Sequence, residues 1–91
     1  MEEQLAALLT EVSEAHHDAF ADVDGADPEW PLWYAQRMVG RTRALLGPDL
    51  TESRLVYLLV AASRVPPREG EAWPRAYARF MVEDLRSDPA A

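Results

Sequence analysis

The sequence predicts an all-α fold, a four-helix bundle built from two pseudo-repeated helical hairpins, and three observations carry that prediction. First, Trp30 to Val39 aligns with Trp73 to Val82, 43 residues on, and six of ten positions match: Trp, Pro, Tyr, Ala, Met and Val. Self-similarity at such a period marks a duplicated supersecondary unit. Second, Leu5, Leu8, Leu9, Val12, His16, Ala19, Phe20 and Val23 recur at three- and four-residue steps, one stripe of a 3.6-residue period. Third, the apolar run from Leu55 to Ala62 could be a buried strand by periodicity alone, but no partner strand is readable elsewhere in the chain, so it is assigned as helix.

Taken in order, the first helix is expected from residue 2 to about 23, with Glu11, Glu14, Asp18 and Asp22 on its polar side. Asp24-Gly25-Ala26-Asp27-Pro28 then reads as a turn. Helix two has Asp27 as its cap and Pro28 at its first position; alternatively, Asp27 to Trp30 form a separate tight turn and Pro31 restarts the helix. It runs to about Leu46 and stops at Gly47-Pro48. Helix three has Thr51 as cap, with Leu50 and Leu55 placed as a hydrophobic staple, and Pro66-Pro67 ends it. Arg68 to Glu71 is loop, helix four spans Trp73 to about Arg86, and residues 87–91 are a tail. On a helical wheel Tyr34, Ala35, Met38 and Leu45 share one face, as do Tyr77, Ala78, Met81 and Leu85. The repeat therefore consists mostly of core positions, with each Trp covering an end of the bundle.

At 91 residues the chain is one domain with a modest core. With no cysteine, it has neither a disulfide framework nor a thiolate metal site. The acidic start lacks the basic segment of a secretory signal, and the longest apolar run is too short to span a bilayer. A cytoplasmic location without membrane attachment is the expectation. All nine basic residues are Arg, and the net charge is −7. That charge opposes nucleic-acid binding, which needs cations to neutralise phosphates. It is also lopsided: residues 1–29 hold nine acids and no Arg, residues 30–91 seven acids and nine Arg. An acidic first helix facing Arg-bearing helices explains this, as does an exposed acidic face for a basic partner.

Few residues are placed to carry chemistry. Glu14-x-x-His17 has the spacing of di-metal helical bundles. Such a site needs a second motif and further inward carboxylates, so no metal and no cofactor is expected. His16 lies at the centre of the apolar stripe. It is either a buried histidine satisfied by one hydrogen bond, with Tyr34 or Tyr77 as partner, or a group lining a ligand pocket with those tyrosines. Trp33 sits opposite Tyr34 and Met38, beside Arg37, Gly40 and Ala44, and its counterpart in the repeat is Ala76. The scaffold does not demand an aromatic there, so Trp33 is either a cover over a neighbouring helix or an interface anchor. Helix three carries a second apolar face, Val56, Tyr57, Val60 and Ala61. A bundle helix needs only one such stripe. No nucleophile-elbow or phosphate-loop pattern occurs, and no catalytic residue is assigned.

The chain resembles a group of small, uncharacterised all-helical bacterial proteins. The residues that carry the likeness are Ala15-His16-His17, Asp27 to Ala35, the run Leu55 to Val60, and Trp73-Pro74 with Tyr77-Ala78. The resemblance implies a shared helical fold; no activity is established for that group, and no site residues carry over.

The sequence thus points to a non-enzymatic protein–protein interaction module, self-associating as a homodimer through Trp33, Arg37, Val56, Tyr57 and Val60, or binding an unidentified protein partner. The alternative is a small-ligand or metal-binding bundle acting as an enzyme accessory, with His16, Tyr34 and Tyr77 lining its site. The two differ in geometry: outward-facing Trp33 and Tyr57 favour a partner, a hollow around His16 favours a ligand.

Overall fold

A computed structural model of the protein describes residues 1–87; the rest of the expected tail lies outside the described residues. Four α-helices form: α1 Glu2–Ala19, α2 Trp30–Leu46, α3 Glu52–Ser63 and α4 Trp73–Ser87. α1 packs against α2 and, most extensively, against α4; α3 packs against the same two. The result is a four-sided bundle with overall extents of 42 × 30 × 20 Å. Its core interleaves Leu5 and Leu9 of α1, Met38 of α2, Leu55 and Leu59 of α3, and Met81 of α4, all fully buried. Burial of each such side chain stabilises the fold by about 1.5–3 kcal/mol.

The repeat is a repeat of structure. Trp30 and Trp73 each open a helix, and Pro31 and Pro74 fall in the first turn, where a missing N–H costs nothing. One turn on, each Trp meets its own tyrosine edge-to-face: Trp30–Tyr34 at 5.4 Å and Trp73–Tyr77 at 5.0 Å between ring centroids. Ala35 and Ala78, then Met38 and Met81, are buried in register.

One boundary differs from expectation, and one follows the second of two readings. α1 ends at Ala19 rather than near residue 23, because a 3-10 turn, Ala21–Val23, takes over and Asp24 and Gly25 then adopt left-handed backbone at φ 56° and 79°. Gly tolerates that conformation freely and Asp more readily than most residues. The Phe20 carbonyl accepts from both Val23 N–H and Gly25 N–H. For α2 the alternative reading holds: Asp27 to Trp30 form a separate turn, with Asp27 accepting from Glu29 N–H at 3.0 Å and its carbonyl from Trp30 N–H at 3.1 Å, and the helix starts at Trp30 rather than being capped by Asp27.

Thr51 caps α3 as expected, its hydroxyl oxygen accepting from Arg54 N–H at 3.0 Å, with Leu50 and Leu55 both buried beside it. Replacing Thr51 with Ala should cost about 0.5–2 kcal/mol, read as a lower denaturation midpoint with unchanged slope. An unaltered midpoint would mean that the cap adds nothing to α3.

The lopsided charge is partly settled inside the chain. Arg41 of α2 pairs with Glu11 of α1 at 2.7 Å, and Arg75 of α4 approaches Glu3 at 3.9 Å. Before α4, the Glu71 carboxylate accepts two hydrogen bonds from Arg79 and one from Arg68 N–H, all between 2.9 and 3.0 Å. The Arg79 hydrogen bonds first, then the backbone one, hold its pKa at about 2 against an ordinary 4.5. A depressed carboxylate contributes stability above its unfolded pKa and loses it as pH falls towards the folded value. Glu71→Gln should therefore be less stable than the native chain at neutral pH. The gap should narrow below about pH 4.5 and close near pH 2. Parallel denaturation curves at both ends of that range check this; a gap that widens in acid contradicts it. Among the described residues, no helix is long and apolar enough to cross a membrane.

Candidate functional site

The turn between α1 and α2 folds Asp27 back onto α1. Its Oδ2 lies 3.0 Å from Nε2 of His16, and both side chains are only 10% exposed. Oδ1 of the same carboxylate takes the Glu29 N–H. His16 is therefore a buried histidine with a hydrogen-bond partner, but the partner is Asp27 rather than Tyr34 or Tyr77. Because a carboxylate only accepts, the neutral ring carries its proton on Nε2 and presents Nδ1 as an acceptor. Among the described residues no buried side-chain nitrogen or oxygen lacks a partner and no hydrogen bond to Nδ1 is made, so that atom is not fully enclosed.

Three rings surround the imidazole. Phe20, the residue that caps the end of α1, stacks on it at 4.6 Å; Trp33 meets it edge-to-face at 5.0 Å; Tyr34 lies tilted at 5.3 Å. Trp33 is half-buried in this cluster, with the Arg37 guanidinium 4.5 Å from the centre of its ring. It therefore packs over the end of α1 instead of standing clear of the bundle.

Beside the pair lies a cleft of about 330 Å³, near the lower end of small-molecule sites. α1 and the following turn contribute Ser13, His16, Gly25 and Asp27; the two repeat copies contribute Trp30 with Tyr34 and Trp73 with Tyr77. His16, Tyr34 and Tyr77, grouped from sequence as lining one pocket, thus do line one cleft. Asp27, read as a helix cap or turn residue, and Trp30 and Trp73, read as covers over the bundle ends, join them. The signal for the two tryptophans was the repeat itself: with the tyrosines in one hollow, the preceding Trp of each copy follows.

Burial, and then the neighbouring Tyr34, push the Tyr77 phenol above its ordinary pKa, while a hydrogen bond with the Ser63 hydroxyl pulls the other way. Tyr77 is therefore a neutral hydroxyl at physiological pH. No hydrogen bond joins Ser13 to His16 among the described residues, so Ser13, His16 and Asp27 do not form a nucleophile relay.

The other sequence candidates lie elsewhere. Val56 packs against the core of its own chain, Val60 and Ala61 are half-buried, and Tyr57 is 52% exposed beneath the Arg54 guanidinium. Glu14 and His17 are both exposed, and no cluster of three potential metal ligands occurs among the described residues. The chain matches no family model, no curated protein and no solved structure.

Proposed function

We propose that this chain is a small-molecule-binding helical bundle and that the cleft beside His16 is its site. One observation carries the reading: both copies of the repeat and the buried His16–Asp27 pair converge on the same hollow. A bundle that only needed a core would not require a carboxylate and an imidazole inside it, since buried polar groups add little net stability even when paired. Aromatic walls with a few placed polar groups are what small-ligand sites consist of. His16 Nδ1 and the Tyr77 hydroxyl supply an acceptor and a hydroxyl for orientation.

Native mass spectrometry of freshly purified protein, joined to an NMR fragment screen, tests this. The expected result is a co-purified small molecule, or fragments whose shifts cluster on the Trp30 and Trp73 indole resonances and are lost in Trp73→Leu. Shifts scattered over the surface, or none at those indoles across a chemically diverse set, would remove the reading.

Self-association is the second reading, supported by the exposed Tyr57 next to half-buried Val60 on α3. Light scattering decides it: a monomer at high concentration ends the idea. A folded Val60→Glu variant that stays dimeric moves the interface off α3.

A further inference from the structure

Resting on that ligand-binding reading, we infer that the cleft takes an organic cation, a small quaternary or alkylated ammonium. Four aromatic side chains line it, in two edge-to-face pairs. Neither pair is stacked, so the two rings of a pair do not cover each other face to face. An aromatic face attracts a cation through its quadrupole, and several rings around one hollow form the arrangement that holds quaternary ammonium groups.

The charges agree. Asp27 is the acid and His16 the base among the lining residues, and no Arg reaches the cleft. The lining holds one carboxylate and no guanidinium. The Asp27 oxygens already accept from His16 and Glu29 N–H, so the carboxylate acts on the ligand through its field rather than by a direct bond. That suits an alkylated ammonium, which has few or no N–H groups to donate. Ser13, His16, Gly25 and Asp27 all belong to the first 29 residues, the segment with nine acids and no Arg. Arg41 and Arg75 pair with two of those acids, Glu11 and Glu3, and what remains of the acidic field draws cations in and repels carboxylates and phosphates.

The experiment uses three probes of nearly equal shape: choline, its neutral isostere 3,3-dimethylbutan-1-ol, and the anion 3,3-dimethylbutanoate. Each is titrated into the full chain, and the Trp30 and Trp73 indole NMR signals are read. Choline should bind more tightly than the alcohol by roughly 2- to 30-fold, and the anion most weakly. Trp73→Leu, at a residue already 38% exposed, should lose that preference while circular dichroism stays unchanged, and Trp73→Phe should keep part of it. Equal binding of choline and the alcohol overturns the cation assignment but leaves a ligand cleft, as does preference for the anion. If none of the three binds, the cation assignment fails, and the fragment screen separately decides whether the cleft binds anything.

Discussion

Leu9→Ala should destabilise the protein by about 2–5 kcal/mol. Leu9 is fully buried on α1, the helix that packs against both α2 and α4. Truncation removes the apolar transfer energy and leaves a cavity that rigid neighbours only partly fill. A domain of this size has about 5–15 kcal/mol of stability in all, so the loss should be visible at room temperature as a much lower denaturation midpoint. Leu9→Met, which keeps the volume, should cost less than about 1.5 kcal/mol. If both substitutions cost the same, side-chain volume at this position is not what holds α1 in place.

Asp27→Ala should cost about 1–3 kcal/mol, for a different reason. It strips the hydrogen bond from His16 Nε2 and from Glu29 N–H at once. A buried donor left without its acceptor bears its full desolvation penalty. Asp27→Asn keeps one acceptor oxygen and should fall between the native chain and the alanine variant. The Trp33 ring, 5.0 Å from His16, gives a local probe: its fluorescence in the folded state should change in Asp27→Ala more than in Thr51→Ala. A loss of stability in Asp27→Ala below a few tenths of a kcal/mol would mean that water replaces the carboxylate without cost.

The bundle was legible from sequence wherever local rules govern. Periodicity located the four helices, turn residues separated them, the Thr51 cap and its Leu50–Leu55 staple stood as read, and the central place of His16 in its stripe signalled burial. The matched Trp, Pro and Tyr of the repeat gave the two hairpins and, through the tyrosines, half of the cleft. The rest depended on the path of one turn. Nothing local to Asp27 says that Asp24 and Gly25 will take left-handed backbone and swing it under His16; capping a helix was its better local use. A helical wheel places Trp33 away from Tyr34 and Met38, yet it is half-buried against the core. The wheel has no knowledge of His16 and Phe20, whose rings lie 5.0 and 6.2 Å from that of Trp33.

The contact between α1 and α4 joins the earliest and latest helices of the described chain. Packing α1 against α4 closes a loop over nearly all of those residues, and closing a loop costs entropy that grows with its length. During synthesis, at roughly 5–20 residues per second, α1 emerges on the order of seconds before α4 exists to cover it. The α1–α2 hairpin can form in that interval, held by the His16–Asp27 bond across eleven residues, but the part of α1 that packs against α4 stays wet. A chain halted between α3 and α4 would lack the helix that packs most extensively against α1.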